Sequence, residues 1–279
     1  MRLAAGSTTH SEARPIRKLL SAILAVALLL PILVAPVAAY NGNCVSPSSN
    51  FHSGHSNSSA NVSRSGAKAF ITAYPAAFEI CEATPTDWDD NGSHAWVGMV
   101  PRDTSVGCQV PVDCIIQIGI TECASFAQSV CGGDNAPHYF WAWGGCNGAK
   151  PYLNDLGSAP LNGGHEYSVY KTLVSGSIRW QLRIDGNLKV TINPTHSRVS
   201  CWLGDNVKAT WYGERWDLGD SLGNGTSYPL TFTQMRYGIY NQGWFSPALP
   251  IGGLCQDTAS DEYCWFPLTT GDGMRIHTD

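Results

Sequence analysis

The sequence predicts an all-β protein: two antiparallel sheets packed as a sandwich and stapled by disulfides. Three observations lead there. Apolar and polar residues alternate in many short runs, the period of a strand with one buried face. Twenty-nine glycines and sixteen prolines punctuate the 279 residues, which leaves little room for long helices. Ten cysteines, none spaced Cys-x-x-Cys, follow an apolar N-terminal segment; an even count in an exported chain reads as disulfides rather than as a metal site.

The N-terminal segment comes first. Arg14, Arg17 and Lys18 precede an apolar run from Leu19 to Ala39, which is broken by Pro31 and Pro36 and ends in the small residues Val37-Ala38-Ala39. This is the pattern of a signal peptide, residues 1–39, removed from a secreted protein that then has no membrane segment. The run is also about long enough to span a bilayer, so an uncleaved anchor is the alternative. Removal leaves 17 less 4 basic residues and 22 less 1 acidic residues, a net charge of −8. With no basic run left, nucleic acid and anionic membranes are excluded as partners, and a monomer is expected. Residues 40–67 hold a serine-rich stretch with little to bury, read as a flexible lead-in. Residues 68–279 are then one β-sandwich domain, a size at which such sandwiches fold as a unit. Within it Cys255 and Cys264 are close enough in sequence to close a short loop, and the dense run from Cys108 to Cys146 reads as a stapled insertion.

Strands are expected at Ala95–Val100, Ile115–Ile120, Tyr139–Trp143, Tyr167–Val174, Lys208–Trp216 and Leu230–Tyr240, with one short helix-like stretch at Glu122–Val130. The clearest signal is Ile178-Arg179-Trp180-Gln181-Leu182-Arg183-Ile184, which alternates strictly. Asp185-Gly186-Asn187 then turns the chain, and Leu188, Val190 and Ile192 resume the period of two, so this is a hairpin with one buried face.

Two polar residues interrupt these apolar runs. Gln117 sits within Ile115–Ile120, and Glu214 closes Ala209-Thr210-Trp211-Tyr212-Gly213-Glu214. Alternation puts Gln117 on one face with Ile115 and Gly119, the glycine leaving room beside it, and Glu214 on one face with Thr210, Tyr212 and Trp216; Trp211 points into the core. A buried carboxyl or amide costs free energy unless paired or kept wet by a cleft. Together the two groups suffice for amide hydrolysis. Glu214 would act as general base and then acid, and Gln117 as oxyanion donor, with no metal or cofactor.

Three segments in order carry a family resemblance: Trp96-Val97-Gly98, Ile116-Gln117-Ile118-Gly119-Ile120, and Ala209-Thr210-Trp211-Tyr212-Gly213-Glu214. They resemble the strand motifs of the glutamic peptidases (eqolisins), secreted acid peptidases on a concanavalin-like jelly roll. The resemblance implies that fold, an acidic pH optimum, a polypeptide substrate, Glu214 and Gln117 as the catalytic pair, and Trp96, Trp143, Tyr212 and Trp216 along a substrate groove. The family follows Trp-Val-Gly with Ile-Asp-Gly, whereas Met99-Val100-Pro101 stands here; its Ala-Trp-Tyr-Glu-Trp becomes Ala142-Trp143-Gly144-Gly145-Cys146, which lacks the cleft glutamate.

The alternative from another class is a non-catalytic, lectin-like module that binds carbohydrate or a cell surface. Ten tryptophans and eleven tyrosines supply stacking platforms, with Trp143, Tyr212, Trp216 and Trp244 as groove candidates, although core packing alone would also employ them. A serine hydrolase lacks its Gly-x-Ser-x-Gly elbow. The His52/His55 pair lies in the lead-in, and the remaining histidines are scattered singly, read as surface or loop residues.

Overall fold

The hairpin with the strictest alternation folds as its residues dictate. Strand β10 (Ser177–Ile184) turns into β11 (Asn187–Ile192) through Asp185 and Gly186, both at positive φ, the two-residue turn whose twist matches that of the strands. One difference appears: a bulge between Leu182 and Arg183 sets Leu188 opposite Arg183, and Leu188 is exposed. An extra residue in one strand breaks the alternation that a strict period of two assumes.

The computed structural model describes residues 39–41, 51–57, 63–74, 78–81, 92–102, 114–123, 137–146, 152–161, 163–201, 207–215, 221–223, 229–249, 254–258 and 261–278. Residues 38–279 form one unit. It is built almost wholly of antiparallel strands in two large sheets. The first runs β2 (Phe51–Asn57), β12 (Val207–Arg215), β5 (Gly92–Pro101), β6 (Ile115–Cys123), β7 (His138–Gly144) and β8 (Tyr152–Ser158). The second runs β11, β10, β9 (Gly163–Val174), β3 (Gly66–Ala73), β14 (Leu230–Ile239), β18 (Met274–Thr278), β17 (Asp261–Pro267) and β16 (Leu254–Thr258), with β15 (Gly243–Phe245) paired to β14. A small third sheet joins β1 (Ala39–Asn41) in parallel to β4 (Phe78–Cys81), and β4 to β13 (Ser221–Leu222).

The two large sheets close on one apolar core. Ala95, Val97, Met99, Ile116, Ile118, Ala209 and Trp211 come from the first, and Ala67, Ile71, Val169, Trp180, Leu182, Phe232 and Ile276 from the second. This is the sandwich the alternation predicts, because each strand buries every second residue. Cys146 is bonded to Cys201, and Cys114 is also disulfide-bonded. The Cys146 bridge therefore reaches outside the Cys108–Cys146 run. Backbone pairing sets Cys255 opposite Cys264 on β16 and β17.

Two sequence expectations differ from the structure. Phe51–Asn57, inside the serine-rich lead-in, is strand β2 along most of β12, from Asn57 opposite Ala209 to Phe51 opposite Arg215. Its composition is poor in apolar residues, but an edge strand draws its ladder bonds from the backbone, and Gly54 allows close approach to Tyr212. Glu122 and Cys123, expected to open a helix, belong to β6; residues 124–130 lie outside the described residues.

Candidate functional site

The face of the six-stranded sheet turned away from the core carries the polar residues singled out above. Alternation brings Gln117 and Glu214 to it, together with Trp96 and Tyr212. The ladder register then decides their spacing. Gly98 is the partner of Gln117 on one side and of Thr210 on the other; Trp96 lies between Tyr212 and Gly119; His94 lies between Glu214 and Thr121. Gln117 and Glu214 are thus two strands and four residues apart, about 16 Å between Cα positions at ordinary sheet spacings. Trp96 occupies the midpoint of that diagonal.

Trp96 is held there by geometry on both sides. Its Nε1–H donates to Glu214 Oε2 at 3.1 Å, and its ring stacks on Tyr212 with centroids 5.2 Å apart and planes at 30°. A Cβ at Gly98 would lie 2.8 Å from the Ile116 backbone oxygen and 3.1 Å from Trp96 Cζ3, so glycine there gives the indole room across the sheet. A Cβ at Gly119 would run into Ala95 O and the Trp96 backbone. Gly119 therefore serves close packing of β6 on β5, not open space beside Gln117.

The face is also covered. Trp96, Val100, Ile115, Phe140 and Ala142 form a second apolar cluster, against which Leu153 and Tyr212 pack. Glu214 is 8% exposed, Gln117 6% and Trp96 3%. Within it, Gln117 Oε1 and Thr210 Oγ1 are buried with no hydrogen-bond partner among the described residues. Lys208, on the same face opposite Val100, has its ammonium pKa lowered by burial.

A polar row that sequence reasoning missed crosses the same face. Glu214, His94, Thr121 and His138 are successive partners across β12, β5, β6 and β7, and His138 Nδ1 lies 2.8 Å from Asp155 Oδ1. Against the expectation of surface or loop positions, His94 and His138 are both buried. The signal was present, since His94 shares the parity of Trp96 and His138 that of Ala142, but only the paired register turns four separate residues into one line.

The other expected groove residues do not join this site. Trp143 is the partner of Ile116, on the opposite face of the sheet, where it stacks on Trp141 and meets His196 at 4.0 Å. Trp216 lies outside the described residues. Trp244 belongs to the other sheet. Among the described residues no group of three or more His, Cys, Asp or Glu side chains is placed to hold a metal.

No protein-family model and no curated protein matches this chain. Solved structures similar to it are carbohydrate-acting by name. A glycoside hydrolase family 16 endo-glucanase from Bacteroides ovatus is 13% identical, with a TM-score of 0.32 over 56% of this chain and 57% of that one. The catalytic domain of an endo-1,3-beta-glucanase (laminarinase) from Thermotoga petrophila is 10% identical, with a TM-score of 0.32 over 82% and 75%. The kappa-carrageenase of Pseudoalteromonas carrageenovora, in complex with an oligotetrasaccharide, is 10% identical, with a TM-score of 0.29 over 78% and 62%. The chain thus spans little more than half the length of the first of these, 57%. At such scores the likeness says nothing of this chain's substrate; the sandwich rests on the strand order described above.

The expectation of a glutamic endopeptidase is corrected by the ladder itself. Gln117 and Glu214 share a face but stand too far apart to hold one water molecule, the Glu214 carboxyl is engaged by Trp96, and both residues are buried.

Proposed function

We propose that this chain is a carbohydrate-binding β-sandwich, a lectin-like module that holds a neutral glycan at the Tyr212 edge of the outer face of its six-stranded sheet. The observation that carries the reading is the Trp96–Tyr212 stack, in which buried Trp96, pinned by Glu214, backs the half-buried Tyr212 ring. A sugar ring offers a C–H face to such an aromatic platform. Tyr212, half-buried and bonded to Ser56 Oγ at 3.0 Å, is the accessible edge of this floor.

Among the described residues, the placement of the carboxylates supports binding rather than cleavage. Glycoside hydrolysis sets two carboxyl groups roughly 5–10 Å apart across the bond that breaks. On this face Glu214 and Asp155 stand four strands apart, about 19 Å, and Asp155 is occupied by His138. The signal-like residues 1–39 and the Cys146–Cys201 bridge support placing the module outside the cell.

Isothermal titration against a panel of neutral oligosaccharides tests the reading. Binding by the wild type, weakened about tenfold or more in Tyr212→Ala, is expected. Absence of binding across the panel, or unchanged affinity in Tyr212→Ala, would overturn it.

A further inference from the structure

The outer face of the nine-stranded sheet holds a second, differently charged surface. Register places Arg183 of β10 opposite Ser168 of β9, Ser168 opposite Lys68 of β3, and Lys68 opposite Arg236 of β14. Three cations thus stand in one line across four strands. They come from positions 68, 183 and 236, which is why no basic run announces them in the sequence.

A parallel line of aromatic residues and glycines runs beside it. Gln181, Tyr170, Gly66, Gly238 and Trp244 are successive partners across β10, β9, β3, β14 and β15. The two glycines make a trough into which the indole folds: a Cβ at Gly66 would lie 2.9 Å from Trp244 Cη2 and 2.7 Å from Tyr170 Cβ. Trp244 meets Tyr170 edge-on at 6.0 Å and is 40% exposed. The two lines touch, with Lys68 Nζ 5.4 Å from the Trp244 ring and Arg183 Cζ 5.8 Å from the Tyr170 ring.

Charge on this surface is only partly answered. Lys68 pairs with Glu166 at 2.9 Å and Arg236 with Asp272 at 3.4 Å. Arg183 donates to Gly186 O and Gln181 Oε1 and has no carboxylate partner among the described residues. Lys68 and Arg236 are thus each met by a carboxylate while the Arg183 guanidinium is met by none, and the one further carboxylate nearby, Asp185, is engaged by His165 and the Glu166 amide. A positive patch on an acidic protein is a local attractor for anions.

We propose that this surface binds an acidic polysaccharide, its sugar rings lying on Trp244 and Tyr170 and its carboxylate or sulfate groups along Arg183, Lys68 and Arg236. The aromatic line needs flat C–H faces, and the cationic line needs anions repeating beside them; a polymer of charged sugars supplies both in one molecule. Guanidinium groups at Arg183 and Arg236 match planar carboxylates and sulfates in two-point hydrogen bonds. This site lies on the opposite sheet from the neutral-glycan face and stands whether or not that reading does.

The test uses the chain from residue 40 onward and three probes: an oligogalacturonate, the same oligomer with its carboxyl groups reduced, and dextran sulfate. Binding of the oligogalacturonate or dextran sulfate is expected. It should fall as salt rises, and Trp244→Ala and Arg183→Gln should each weaken it about tenfold. Which of the two polymers binds identifies the anion. Trp244 is exposed on a short edge strand and Arg183 lies on the solvent side, so both variants should keep the thermal transition of the wild type. Equal affinity for the carboxyl-reduced oligomer, binding unchanged in both variants, or no binding to either acidic polymer would overturn the proposal. Tyr212→Ala, on the other sheet, separates the two sites: its effect on neutral oligosaccharides leaves the acidic probes unmoved.

Discussion

Trp211 Nε1 donates to the backbone oxygen of Lys68 at 2.9 Å, so one hydrogen bond joins the two sheets across the core. Trp211 belongs to β12, next to the Tyr212 of the aromatic floor; Lys68 belongs to β3, whose outer side carries the cationic line. The bond therefore ties together the elements that present both proposed surfaces.

Trp211→Phe keeps most of the buried ring and strands the Lys68 carbonyl in the core. A loss of about 1–3 kcal/mol is expected, read as a lower denaturant midpoint with unchanged slope. An unshifted midpoint would mean that water replaces the tie without cost.

Glu214→Ala and Glu214→Gln should part company. Alanine leaves the indole N–H of buried Trp96 without its acceptor, at about 1–3 kcal/mol, whereas the glutamine oxygen can still accept it. Chemical denaturation of both variants, followed by tryptophan fluorescence, reads the difference. Equal losses would show that the carboxylate's charge, rather than the hydrogen bond, holds Trp96.

Gly119→Ala should be among the most damaging single-methyl changes in the protein. The added Cβ meets Ala95 O and, at 2.8 Å, Trp96 Cα, both backbone atoms of a central strand that cannot step aside. A loss of roughly 2 kcal/mol or more is expected in thermal or denaturant unfolding. Wild-type stability would mean that β5 and β6 sit further apart than described.

Acid should destabilise the fold through His55. This residue stacks on Trp211 and lies tilted against Trp265, and burial lowers its pKa from 6.5 to about 4. The unfolded chain therefore takes up a proton at a pH where the folded chain does not. The stability held by neutral His55 is complete above pH 6.5 and drains away as pH falls towards 4. His55→Phe should flatten the stability profile across that window; an identical slope in wild type and variant would assign the effect to another group.

The Cys146–Cys201 bridge spans 55 residues of sequence, and the chain-entropy relation gives it roughly 4 kcal/mol. The double variant Cys146→Ser, Cys201→Ser should lose several degrees or more of melting temperature. A melting temperature equal to that of the wild type would show that the bridge adds strain as large as the entropy it removes.

Much of the fold was legible because strands announce themselves locally. The β10–β11 hairpin, β5, β6, β7, β9 and β14 all stand where alternation predicts them. β2 was not, because its serines and histidines bury little and its pairing depends on β12, more than 150 positions away. Leu188 was misplaced because a bulge has no signature in hydropathy. At the site, faces were legible and distances were not. Trp143 shows the limit: its own strand was right, but its parity opposes that of Gln117, and it packs inward.

Composition and alternation alone determined that this protein is a disulfide-bonded β-sandwich and which residues share a face of each strand. A strand's two faces are set by its own backbone geometry, so that information is local. Tertiary structure decided the rest: that Trp96 stands between Gln117 and Glu214, that His94 and His138 join Glu214 in one row, and that three scattered cations form a line. Register between strands far apart in the chain follows from how whole sheets bury their apolar faces together, and no single segment contains that choice.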